Sequence, residues 1–191
     1  MANYSSTNLY VFGPQKELQG LFKKLKHWTR KDEKKQPTAF GSGWIGFIAE
    51  YTGIQPFDGR AGVVRFQYDG RGLLYVQYQS AWAPQPEFWE ALLRKFAPAC
   101  KSYYLAEESC TGLYVTNDKL KRVITVDYAI PAQDASDGSY LPSELRPSTF
   151  YTKSGMHELL SSRYGEGKSM DELLEMAWQD DLRVYKVKRV H

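Results

Sequence analysis

The chain has 191 residues, 42% hydrophobic and 15% aromatic, with 14 tyrosines and 5 tryptophans, which excludes a disordered chain and suits one substantial core with an appendage. A formal net charge of +3 falls well short of the basic excess that would by itself mark a nucleic-acid binder. The two cysteines, Cys100 and Cys110, are too few for a secreted disulfide scaffold, and no basic start with an apolar run or ~18-residue apolar span is present, so a cytoplasmic protein with reduced thiols and no membrane segment is expected.

Along the chain, "NLYVFG" (residues 8–13) is a short β-type run, and Pro14 suits a helix start because its missing N–H has no intrahelical partner there. Leu18, Leu21, Phe22, Leu25 and Trp28 then recur at helical spacing as one buried stripe. The cations between Lys23 and Lys35 read as a solvated helix end and loop, closed by Pro37. Ser42 is expected to cap a second short helix carrying Trp44, Ile45, Phe47, Ile48 and Tyr51, with Gly53 as its left-handed stop. A hairpin follows: "GVVRFQY" and "LLYVQYQSAW" alternate along their length and flank "DGRG", where Asp69-Gly70 supplies the positive φ of a tight connection. Pro84 and Pro86 end the second strand, Phe88, Trp89, Leu92, Leu93 and Phe96 mark a helix closed by Pro98, and "CKSYYLAEE" is the next strand.

Beyond Cys110 come two further β-like runs, "TGLYVTND" and "RVITVDYAI", then "PAQDASDGSYLPSELRPSTF", whose three prolines predict a long surface connection. Ser154 and Ser169 are expected to cap two late helices, the second through a Ser169–Glu172 capping box, and "LRVYKVKRV" closes the chain as a charged edge strand. There is no internal repeat and no low-complexity tract.

With the extra short helix set aside, this order predicts an α+β fold, a ferredoxin-like split β-α-β-β-α-β antiparallel sheet with both helices on one face, followed by a C-terminal β/α extension. The stretches "MANYSSTNLYVFGPQKEL", "SAWAPQPEFWEALLRKFAP" and "YYLAEESCTGLYVTND" together resemble the YubB-like ferredoxin-fold family, bacterial proteins often carried on plasmids and other mobile elements. The resemblance implies a ferredoxin-like domain in which the Trp-x-Pro segment joins strand to helix; it carries no assigned activity and no catalytic residues. It extends over roughly the first 130 residues, so residues 1–130 are expected to form the core with two added strands and residues 131–191 an extension packed on the same domain.

Trp82 is open to two readings: a ring that fixes the strand-to-helix crossing by packing near Trp89, or a stacking platform on the sheet's uncovered face. Basic side chains interleaved with aromatics on one sheet face would suit nucleic acid, and Arg65, Tyr75 and Tyr103 stand at alternating strand positions. Glu107 and Glu108, with Asp118 and Asp127 on the strands that follow, form the best carboxylate cluster, although neighbouring strand residues face opposite ways and ordinary ion pairs with Arg65 or Arg122 are the plainer reading. His27, His157 and His191 are scattered, so no metal is expected, and "GEGKS" (residues 165–169) lacks phosphate-loop spacing. Neither cysteine has a sequence-near histidine. The composite expectation is a non-catalytic accessory module without cofactor, binding a protein or a single-stranded nucleic acid through Arg65, Tyr75, Trp82, Tyr103, Glu107 and Glu108; the alternative is a small hydrolase built on the carboxylates.

Overall fold

The hairpin shows most directly how local chemistry builds this fold. The Asp69 carboxylate accepts the backbone N–H groups of Arg71, Gly72 and Leu73 at 2.8–3.0 Å, and Gly70 adopts φ +78°, a conformation with no Cβ penalty for glycine. This turn joins β2 (Ala61–Tyr68) to β3 (Leu73–Ala81) in antiparallel register, Phe66 opposite Val76 and Tyr68 opposite Leu74, with a bulge between Val63 and Arg65. The computed structural model describes residues 4–31, 44–55, 60–81, 83–108, 111–131 and 148–190. They make an α+β fold of two compact units, Met1–Ala106 and Glu107–His191.

In the first unit the remaining elements are β1 (Tyr4–Phe12), α1 (Gln15–Lys31), α2 (Ile45–Thr52), α3 (Pro86–Phe96) and β4 (Lys101–Glu108), whose last two residues belong to the second unit. The strands lie in the order β2-β3-β1-β4, so β3 separates the two strands that flank α1. β1 is longer than the "NLYVFG" run and pairs with β3 over its whole length, Leu9 opposite Val76 and Val11 opposite Leu74. Those four side chains and Tyr78 are buried on one face beneath Leu18, Leu21 and Leu25 of α1 and Leu92 of α3. Ring contacts tie both helices to that side: Phe22 to Phe66 at 5.7 Å, Trp28 to Phe96 at 5.2 Å, and Tyr78 to Trp89 at 5.5 Å. Gly53 ends α2 at φ +68° as expected, whereas the predicted Ser42 cap lies outside the described residues.

The second unit holds β5 (Leu113–Thr116), β6 (Tyr128–Ile130), β7 (Thr149–Tyr151), α4 (Lys153–Tyr164), α5 (Met170–Gln179), β8 (Tyr185–Lys186) and β9 (Lys188–Arg189). β6 lies between β7 and β8, and β9 runs parallel to β5. Tyr128, Ile130, Met156, Leu160, Leu173 and Ala177 make its core. The boundary between the two units falls before β5; β5 pairs with β9, and β6 with β7 and β8.

Four local expectations need correction here. The run "RVITVDYAI" is strand only at Tyr128–Ile130, because the backbone N–H groups of Arg122, Val123 and Ile124 turn inward to the Asp118 carboxylate. The long proline-rich connection ends in a strand, β7. The cap of α4 is Thr152, whose hydroxyl accepts the Gly155 N–H, rather than Ser154. The closing strand is broken at Val187, whose N–H donates to the Asp127 carbonyl, leaving β8 and β9 to pair with different strands. The Ser169–Glu172 capping box is present as expected.

Candidate functional site

Strand alternation sorts the first unit's sheet into two faces. Opposite the helices stand Ser6, Asn8, Tyr10 and Phe12 of β1, Leu73, Tyr75, Gln77 and Gln79 of β3, and Arg65 and Gln67 of β2. On β4, the ring contact of Tyr103 with Phe12, centroids 6.2 Å apart, sets Tyr103 on this same face, and alternation adds Lys101 and Leu105. Tyr10 and Tyr75, directly opposite in register, meet at 5.4 Å. Four rings therefore cross the middle strands as two contacting pairs, all half-buried.

Polar groups frame the rings. The Tyr75 hydroxyl donates to the Asn8 side-chain carbonyl at 2.6 Å, and Arg65, exposed on β2, donates to the Gln67 side chain at 3.2 Å. Partial burial raises the phenols of Tyr10 and Tyr75 above their ordinary range; for Tyr75 the neighbouring Tyr10 adds to this and Arg65 opposes it. Both rings stay uncharged through the physiological range. Among the described residues this face carries Arg65 and Lys101, and the alternation that adds Lys101 and Leu105 also brings Glu107 of the same strand to it.

Arg65, Tyr75 and Tyr103 are thus brought to one surface, and Trp82 lies outside the described residues. Sequence reasoning missed Tyr10, Phe12 and Lys101. The signal was present in β1 as Asn8, Tyr10 and Phe12 at period two, a pattern that "NLYVFG" read only as a β-type run does not expose.

The four carboxylates of the alternative reading are each engaged by neighbouring groups, and Asp118 and Asp127 share Arg189. Glu107 accepts the Ser148 backbone N–H at 3.4 Å, and burial pushes its carboxyl above the usual range against the hydrogen bonds from Ser148. Glu108 is buried and accepts the Thr111 hydroxyl. Asp118, 1% exposed, takes three backbone N–H groups at 2.6–3.0 Å. Burial alone would raise its carboxyl, yet these bonds and the Arg189 charge hold it below the ordinary range. Asp127 is likewise lowered despite partial burial, by Lys121 at 2.6 Å, the Lys153 N–H and Arg189. Asp127 alone of the four lines an open cavity of about 640 Å³, with Lys121, Lys153, Ser154, His157 and Glu158. A carboxylate held ionised by a lysine is ill-suited to donate or relay a proton near neutral pH.

No group of three or more metal-ligating side chains occurs among the described residues. Cys100 is half-buried, with its thiol pushed up to about 11 by burial and by the nearby Glu17 carboxylate, so it stays protonated at neutral pH and is a poor nucleophile. Cys110 lies outside the described residues. "GEGKS" delivers Ser169 as the cap of α5. No helix among the described residues is long and apolar enough to cross a membrane. Comparison of the chain with protein-family models, curated proteins and solved structures returned no match.

Proposed function

We propose that this chain is a non-catalytic binding module that docks a macromolecular partner on the open face of the first unit's sheet. One observation carries the reading: four half-buried rings, Tyr10, Tyr75, Phe12 and Tyr103, cross a sheet face opposite the helix layer. Rings on a helix-covered face would serve the core, whereas here the buried layer of Leu9, Val11, Leu74 and Val76 already does so on the other side. Rings kept partly wet and backed by a rigid sheet present apolar area at small entropic cost, which favours recognition. Asp127 alone of the four carboxylates lines the cavity, and Glu107, Glu108 and Asp118 are taken up by Ser148, Thr111 and backbone N–H groups, which counts against the hydrolase alternative. A cytoplasmic accessory protein of bacterial mobile-element origin is the setting that the resemblance to the YubB-like family suggests, and the protonated Cys100 thiol is compatible with it.

The test is affinity capture from bacterial lysate with wild type and Tyr75→Ala, with and without nuclease. Capture of a defined partner by wild type and its loss in a folded Tyr75→Ala are expected. Undiminished capture by Tyr75→Ala would move the binding surface elsewhere.

A further inference from the structure

Building on the open-face reading, we infer that the partner is single-stranded nucleic acid, with bases stacked on the Tyr10–Tyr75 and Phe12–Tyr103 pairs and phosphates held by Arg65 and Lys101. Three features of the surface carry this. First, the rings belong to adjacent strands and form contacting pairs at 5.4 and 6.2 Å, inclined at 52° and 66°, so the face presents several rings at different angles rather than one isolated ring. Stacking on such rings tolerates any base, since every base has a π-face. Second, the two cations stand on the strands that flank the β3–β1 pair, Arg65 on β2 and Lys101 on β4, so a chain crossing the Tyr10–Tyr75 pair meets positive charge on both sides. Third, Asn8, Gln67, Gln77 and Gln79 offer amides to a phosphodiester chain, and Glu107, the carboxylate that β4 brings to this side, is half-buried and accepts the Ser148 N–H. A duplex buries its base faces and offers nothing to the rings, which distinguishes this surface from a general cationic patch.

The molecule has such a patch elsewhere. Lys23, Lys24 and Lys26 of α1 and Arg94 and Lys95 of α3 are exposed on the helix side, where three of the ammonium groups sit over the Phe22 and Phe96 rings at 4.8–5.8 Å. Its Phe22 and Phe96 rings lie beneath these ammonium groups, and a cationic surface of this kind attracts any polyanion, single- or double-stranded. It is therefore the control.

The experiment is fluorescence anisotropy with labelled mixed-sequence 12-nucleotide single-stranded RNA and DNA and a DNA duplex of equal length, across a salt series, with urea unfolding of every variant. Wild type is expected to prefer the single strands. Tyr75→Ala should weaken them about 5- to 150-fold, the range of one lost base stack, while Tyr75→Phe, which keeps the ring and loses the bond to Asn8, should bind nearly as wild type. Arg65→Gln and Lys101→Gln should each flatten the slope of log affinity against log salt by about 0.7. Binding that survives these substitutions and disappears in Lys23→Gln/Lys26→Gln would overturn both this inference and the open-face reading for nucleic acid. No oligonucleotide binding by wild type, together with a nuclease-resistant protein capture that Tyr75→Ala abolishes, would overturn the nucleic-acid inference and leave the open-face reading standing.

Discussion

At the residue scale, burial and hydrogen bonding push two carboxyl groups of the second unit in opposite directions. Asp118 is lowered in the folded protein, so its contribution to stability is present above the unfolded value, about 3.9, and is lost as pH falls through the folded value. Asp118→Ala would strand the N–H groups of Arg122, Val123 and Ile124 in a buried turn. A loss of about 1–3 kcal/mol at pH 7 is expected from urea unfolding, with the gap to wild type narrowing below about pH 4. Glu107 is raised by burial, and the sign reverses: its contribution favours the folded state at low pH and is lost as pH rises through the folded value. Glu107→Gln should therefore raise the unfolding midpoint at pH 7 and match wild type near pH 4. A destabilised Glu107→Gln at pH 7 would show that the ionised carboxylate is needed by its Ser148 partner.

At the element scale, caps and close approaches determine which substitutions matter. Thr152 and Ser169 cap α4 and α5 through side-chain bonds to Gly155 and Glu172. Thr152→Ala and Ser169→Ala should each cost about 0.5–2 kcal/mol, whereas Ser154→Ala should stay within about 0.5 kcal/mol. Equal losses at Thr152 and Ser154, measured by thermal or urea unfolding, would return the cap to the position that sequence spacing favours. In the first unit, Trp89 is 1% exposed and its ring packs on Tyr78 and Phe88. Its truncation to Ala should cost about 3–5 kcal/mol, more than Tyr75→Ala at a half-buried position. Gly112 stands at φ +67° with Tyr185 against the place where a Cβ would be, so Gly112→Ala combines backbone strain with a clash against an aromatic ring. Larger loss there than at the exposed Gly70, whose added Cβ would meet open space at a similarly positive φ, separates the two costs.

At the scale of the whole molecule, the chain divides its buried residues between two cores. Four of the five tryptophans, Trp28, Trp44, Trp82 and Trp89, belong to the first unit, and Trp178, 73% exposed, to the second. Tryptophan fluorescence should therefore report the first unit, and far-UV circular dichroism both. Leu160→Ala, which empties a fully buried position in the second unit's core, should shift the circular-dichroism transition more than the fluorescence transition. Coincident shifts in both probes would mean that the two cores unfold as one cooperative system.

Much of this molecule follows from its local chemistry. Asp69-Gly70 dictates a hairpin because a short carboxylate and a residue free of Cβ suit that turn, and the stripes on α1 and α3 dictate which helix faces are buried, because periodicity is a property of the segment itself. The α+β class follows from the order of such segments. What tertiary structure alone decided are the partnerships between segments remote in the chain. Tyr10, Phe12, Tyr75 and Tyr103 share a surface only because β1 pairs with β3 and its Phe12 meets a ring of β4, and no local pattern encodes strand neighbours. "RVITVDYAI" has strand propensity throughout, yet its first half is drawn into a turn by Asp118 and by Arg189, which donates to the carbonyls of Asp118, Ile124 and Val126 from 63 to 71 residues away. Buried charges take whichever backbone groups the fold brings within reach, and that demand overrides propensity.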